Sequence, residues 1–192
     1  MSWVRWTAGT AAAALAIAAV GIPVYVAPRA AVAAADAQAA DVVYVIGPPT
    51  DARMEVAREQ VAAGLADAVM ISLNPEESAE WPEAAAACTG EWAGDPDERV
   101  AAATVLCDMP DPFTTRGEAR WLESEMASRG WESVNVVTFT PHVSRAKMII
   151  ERCETGEVRM VDSGESLDPW YWVYQYAYQS AAFVKAGLLT GC

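Results

Sequence analysis

The residues best suited to chemistry lie in two short stretches, Thr115-Arg116-Gly117-Glu118 and His142-Val143-Ser144-Arg145. His142 is the single histidine of the chain. It stands three residues before Arg145, a spacing that places both on one face of a helix. A histidine beside an arginine near a helix start suits a phosphate or a carboxylate, because free amide N–H groups at that end also favour anions. An imidazole can in addition move a proton near neutral pH. His142 and Glu118 are therefore the candidate catalytic groups. Gly47, Arg53, Ser72, Thr115, Thr138 and Arg145 are candidate ligand-binding residues, since each lies at or just beyond the end of an expected strand. Each has a plainer role beside this one. Thr115 and Glu118 fit a capping box, in which hydroxyl and carboxylate satisfy free amides at a helix start. Arg145 can pair with a surface carboxylate, and a lone histidine is more often structural than catalytic.

Several familiar signatures are missing. The sequence has no GxSxG elbow, no Walker loop and no GxGxxG turn. Cys88, Cys107, Cys153 and Cys192 are widely spaced and form no CxxC, so no metal site can be named. No cofactor can be assigned. The chain of 192 residues carries 13 Lys+Arg against 26 Asp+Glu, a formal charge of −13. A polyanion reader normally shows a basic footprint, so this balance argues against nucleic acid as a partner. It leaves room for a small anionic ligand in a local pocket. A hydrophobic fraction of 53% excludes wholesale disorder, and the length suits one domain.

The amino terminus reads as an address. Thr7 to Ala27 carries no charge and is mostly apolar, flanked by Arg5 and Arg29. About 20 apolar residues span a bilayer as a helix. Arg5 favours a cytoplasmic amino end and an exported remainder. Residues 1–29 are thus an uncleaved anchor, with Pro23 bending or ending the run, or a secretory signal cleaved near Ala31-Val32-Ala33 or Ala35-Asp36-Ala37. The first alternative holds the exported body at the cell membrane, and the second releases it. Protein partners are unassigned. Outside the cytoplasm four cysteines suggest two disulfides. Of three possible pairings, Cys88–Cys107 and Cys153–Cys192 are preferred, because each ties an irregular or terminal segment to a core element.

The elements that must position the candidate residues follow from periodicity. Residues 30–40 read as an alanine-rich tether, and the folded body, 41–192, starts at Asp41. Val42 to Ile46 is a β-branched run that stops at Gly47-Pro48-Pro49, a buried strand. Met54, Ala57, Val61 and Leu65 recur at helical spacing. Ala68 to Ser72 predicts a second strand and Ala102 to Cys107 a third. Between them, 75–100 reads as a solvated acidic insertion with a short helix through Ala84 to Ala87. Ala119, Leu122 and Met126 give the next helix its apolar face, closed by Gly130. Ser133 to Thr138 predicts a fourth strand, and Pro141 opens a helix with Val143, Ala146 and Ile150 inward. Glu157 to Val161 is the last strand. An aromatic helix over 168–189, with Tyr171, Tyr174, Tyr178 and Ala181 at helical spacing, reads as packed on the sheet, with a membrane-surface or sugar-stacking role as the lesser alternative. The whole predicts an α/β, Rossmann-like three-layer domain with a mainly parallel sheet, whose ligands bind at the carboxyl ends of the strands.

The order of these motifs resembles the DUF218 family, also called the YdcF/SanA/ElyC-like proteins. The residues that carry the resemblance are Val45-Ile46-Gly47, Arg53, Ile71-Ser72, Thr115-Arg116-Gly117-Glu118-Ala119, Val137-Thr138 and His142-Val143-Ser144-Arg145-Ala146. It covers about Asp41 to Val161. The chain departs from the family pattern at Pro48-Pro49, Leu73 and Phe139, where the family has more glycine, a glycine and a serine. The resemblance implies an envelope-held domain linked to cell-wall biogenesis, with Arg53, Thr115, Glu118, His142 and Arg145 as its site. It supplies no reaction. Two functions stay open: a domain that binds and acts on a phosphorylated or otherwise anionic envelope metabolite, or a non-catalytic envelope factor that binds a partner or a nucleotide-like ligand.

Overall fold

The computed structural model describes residues 2–189 and 191–192, and the Arg5 side chain, on which the expected membrane orientation draws, lies outside the described ones. Helix α1 (Ser2–Gly21) is followed by a π turn at Ile22–Val26 that contains Pro23. Proline has no N–H to give, so the regular ladder stops where the sequence expects it. The stretch Gly9–Val26 is long and apolar enough to cross a membrane, and little of it is buried.

The described body alternates strand and helix. Its elements are β1 (Ala31–Ala33), β2 (Val42–Val45), α2 (Asp51–Ala62), β3 (Ala68–Ser72), α3 (Pro82–Cys88), α4 (Glu98–Ala102), β4 (Thr104–Asp108) and α5 (Thr115–Arg129). They continue with β5 (Ser133–Thr138), α6 (Val143–Ile150), β6 (Glu157–Asp162) and α7 (Pro169–Leu188). One sheet holds the six strands in the order β1-β6-β5-β2-β3-β4, and all pairs are parallel. Val42, Tyr44 and Ile46 point to one face, under α5 and α6. Val43 and Val45 point to the other, under α2, α3 and α4. This alternation, with both faces apolar, is what a strand covered on two sides requires. The fold is therefore the expected Rossmann-like three-layer domain.

From β2 the chain builds outward to β3 and β4, then crosses back to β5 and β6. The order reverses between β2 and β5, and a crevice opens there at the carboxyl ends of both strands. The other end of this pair is locked by Asp41. Its Oδ2 accepts from the Glu132 and Ser133 amides and the Ser133 hydroxyl at 2.9, 2.9 and 2.8 Å. The Glu132 amide foremost, and then the Ser133 hydroxyl, hold the Asp41 carboxyl below its usual range.

Three expectations need correction. Residues 30–40 are not a plain tether, because Ala31–Ala33 pairs with Met160–Asp162 as the edge strand β1. An edge strand needs only backbone groups, and alanines without periodicity carry no signal for it. The insertion 75–100 is not merely solvated. Ala84, Ala87, Trp92 and Val100 enter the core, and Cys88–Cys107 ties it to β4. The stripe Tyr171, Tyr174, Tyr178 and Ala181 does not pack on the sheet but lies exposed. The inward face of α7 carries Gln175, Gln179 and Ala186, because much of what it covers is polar.

Both preferred disulfides are present, Cys88–Cys107 and Cys153–Cys192. The second ties the end of α6 to the segment after α7. Replacing Cys153 and Cys192 together by serine should lower stability by about 2–4 kcal/mol, the usual value for freeing a closed loop of the unfolded chain. Thermal unfolding of the oxidised protein beside the variant checks this.

Candidate functional site

A cleft of about 450 Å³ lies over the carboxyl ends of β2 and β5. Six candidate residues line it: Thr115, Glu118, His142 and Arg145 from the two motifs, and Gly47 and Arg53 from the segment after β2. Ser72 and Thr138 are fully buried one layer behind. All eight candidate site residues therefore meet, six at the surface of the cleft and two as its backing.

Glu118 forms the floor. It lies in the first turn of α5 and is only 4% exposed. The helix cap is not the expected one: Thr114, rather than Thr115, caps α5, accepting from the Gly117 amide at 3.4 Å. Two adjacent threonines give the sequence no means to choose. The choice is made by Pro112, whose carbonyl occupies the place a Cβ on residue 117 would need. Only glycine lets the incoming loop sit that close. Glu118 is thereby free of capping, and its Oε1 accepts from the Gly47 amide at 2.7 Å. Burial pushes the Glu118 carboxyl up, against the Gly47 amide, the Ser72 hydroxyl and the cations Arg53 and Arg145. Ser72 in turn is 2.7 Å from the Tyr44 hydroxyl, which burial holds neutral far above its ordinary range.

His142 stands opposite, also 4% exposed. Its Nδ1 is 3.0 Å from Thr138 Oγ1 and its Nε2 is 3.4 Å from Thr115 Oγ1. Burial first, and then the charges of Arg145 and Arg53, keep the imidazole well below its ordinary pKa. It is therefore neutral at physiological pH. Arg145 Nη1 donates to Thr115 Oγ1 at 3.2 Å. With that oxygen accepting from the cation, the Thr115 hydroxyl proton can point to His142 Nε2, and Nδ1–H then donates to Thr138. In this arrangement Thr115 links cation and imidazole.

The two arginines differ in kind. Arg53 is 2% exposed, with Nε on Glu165 Oε1 at 2.7 Å and Nη1 on the carbonyls of Pro48 at 2.8 Å and Ile46 at 3.2 Å. Its guanidinium also lies over the Phe139 ring, 4.7 Å from the centroid. Its charge is matched, and it holds the β2–α2 turn against the loop after β6. Arg145 has no carboxylate partner among the described residues. Its Nε donates to Gln179 Oε1 at 2.8 Å, and Gln179 donates on to Gln175 at 3.0 Å. Neutral groups aim Arg145 without neutralising it, which is what an anion site needs.

Sequence reasoning missed the rest of the wall. Trp81 and Glu77 come from the insertion, Phe113 from the loop before α5, and Tyr171, Gln175, Tyr178 and Gln179 from α7. One signal was available: Gln175 and Gln179 are four apart and are polar on an otherwise apolar helix face. Among the described residues no group of three or more His, Cys, Asp or Glu could hold a metal ion. The arrangement offers an unpaired cation for an anion, a threonine hydroxyl and neutral imidazole beside it, and a buried carboxyl within the same cleft. Comparison with known proteins found no matching family model, no matching curated protein and no matching solved structure.

Two pH effects follow. The unfolded chain protonates its histidine near pH ~6.5, whereas folded His142 resists the proton. Its contribution is complete above that value and is lost as the pH falls, by up to about 1.4 kcal/mol per pH unit, until the folded imidazole also protonates. The single histidine gives one Hε1 resonance, which should not titrate in its ordinary range, and His142→Gln should flatten that limb of the stability curve. For Glu118 the sign is opposite. The folded carboxyl keeps its proton to higher pH, so stability falls as the pH rises through its raised pKa. Glu118→Gln can still accept from Gly47 and should melt higher than the parent near neutral pH. That gain should vanish below about pH 4, where the carboxyl is protonated in both states.

Proposed function

We propose that this chain is an envelope-anchored domain that binds a phosphorylated or otherwise anionic envelope metabolite and acts on it by proton transfer. The observation that carries the reading is Arg145, a cleft cation held by Thr115 and Gln179 with no carboxylate against it among the described residues. Support comes also from the way the motifs resembling the DUF218 family converge on one cleft. The apolar α1 supports anchoring, and the two disulfides support an oxidising compartment outside the cytoplasm. In this reading Arg145 holds the anion, with the Thr115 hydroxyl between it and His142. Glu118, whose carboxyl burial raises, is the acid or base, since it holds its proton to higher pH than a carboxyl in water. His142, already neutral, accepts a proton through Thr115.

A second reading has one observation in its favour. Both His142 nitrogens already meet threonine hydroxyls, and Phe139 stands beside the ring. A domain that only senses its ligand needs no more than this.

A thermal-shift panel on the full-length oxidised protein tests both. It holds inorganic phosphate, a sugar nucleotide and a polyprenyl-phosphate mimic, with S-adenosylmethionine as a cationic control. An anionic ligand at a hundred times its dissociation constant should add about 2.7 kcal/mol. Arg145→Ala should weaken that ligand roughly 10- to 100-fold, the worth of a hydrogen bond to a charged group, about 1.5–3 kcal/mol. Glu118→Gln should retain binding and abolish turnover. Turnover that survives Glu118→Gln would refute its role as acid or base, and a shift undiminished by Arg145→Ala would refute the anion site.

A further inference from the structure

Helix α7 is amphipathic the wrong way round for a soluble domain. Gln175 and Gln179 point inward, while Trp170, Val173, Tyr174, Val184 and Leu188 point outward. Trp170 is 83% exposed and Val184 63%. This outward stripe recurs along the helix at helical spacing, with Lys185 beside it in the last turn. An exposed apolar face of this extent marks a surface that meets something.

Its neighbours indicate what. The Tyr176 hydroxyl donates to the Ile17 carbonyl of α1 at 2.9 Å, and its ring packs on Gly21, where a side chain would collide with it. Tyr25, in the turn after α1, meets Tyr176 and Phe183 edge-on at 5.7 and 6.5 Å. Helix α7 is thus fastened to the end of α1. The 20 residues of α1 reach about 30 Å, one hydrocarbon thickness. Ile17 lies one turn, about 6 Å, short of the end of that helix. Interfacial helices bury their apolar face about 5–10 Å into the headgroup boundary. Tryptophan and tyrosine are also the residues enriched at that level.

Charge agrees. At the far end of α7, Arg152 donates to the Ala186 and Leu189 carbonyls, Arg116 to Leu189 and Arg120 to Cys192. Lys185 lies on the same end of the helix. In a chain of net charge −13, this gathering of cations beside the apolar stripe suits anionic headgroups.

We propose that the outward face of α7 is a membrane-contact surface, which lies in the headgroup layer of the bilayer that holds α1 and sets the cleft mouth at that level. Tyr171 and Tyr178 join the two features. They line the cleft and stack on Tyr174 of the outer stripe, 6.0 and 5.9 Å between centroids. The proposal rests on the anchored reading of α1, and its test separates the two.

The full chain is placed in nanodiscs of phosphatidylcholine and phosphatidylglycerol, with a nitroxide on one introduced cysteine at a time. Val173→Cys and Val184→Cys probe α7, Leu15→Cys probes α1, and Glu59→Cys on α2 is the aqueous control. Collision with oxygen, which concentrates in lipid, is compared with collision with a water-soluble nickel complex. The expected result is an oxygen-dominated signal at Val173, Val184 and Leu15 and a nickel-dominated one at Glu59. Nickel-dominated signals at Val173 and Val184 with Leu15 in lipid overturn the contact surface and leave the anchor standing. Nickel-dominated signals at all three overturn both. Labels on α7 shielded from both reagents place a protein there instead and also overturn it.

Discussion

The parallel pairing of β2 with β5 is the contact on which the rest of the molecule depends. Val42–Val45 runs beside Val134–Val137 in register, with both strands buried on two faces. Much of the cleft hangs from the ends of these two strands. Gly47 and the turn held by Arg53 follow β2, and His142 and Arg145 follow β5. A slip of one residue in this pair would turn each strand's inward side chains to the other face. Asp41 prevents it by clamping the start of one strand to the start of the other.

The cleft gathers charge that the fold has only partly matched. Arg53 is matched by Glu165, and the pair serves the backbone of the turn. Glu118 is stripped of water and given amide and hydroxyl donors in return, so its proton is held more tightly than in solution. Arg145 is half-buried and given only neutral acceptors. A half-buried cation and a buried carboxyl in one cleft without a direct ion pair are less stable than a matched pair would be. Strongly shifted groups gathered in one cleft are typical of functional sites.

Much of this was legible in the sequence, and the boundary has a physical cause. Strands β2, β3 and β5 were readable because burial on both faces demands unbroken apolar runs. The disulfide pairing was readable because each bridge fastens a segment with weak packing of its own. The convergence of Thr115, Glu118, His142 and Arg145 followed from the rule for parallel sheets. What escaped depends on the environment rather than on the residue. Ala31–Ala33 becomes a strand only because β6 offers it an edge. Thr114 caps α5 in place of Thr115 only because Pro112 sits against Gly117. The tyrosines of α7 have the spacing of a packed face, and only the position of Arg145 and α1 decides that the glutamines turn inward.

The long reach of the β2–β5 pair bears on how the protein comes to exist. The clamp between Asp41 and Ser133 spans 92 residues, with β3, β4 and all the helices from α2 to α5 lying between. Such contacts form late and slowly, because a long loop must close before they repay it. No fragment that lacks either strand can assemble the cleft. Its walls also draw on the segment after β3, on α5 and on α7, so local native-like structure elsewhere does not preform it. The cleft is therefore a product of the cooperative folding of the whole sheet, and a partly folded chain does not present it.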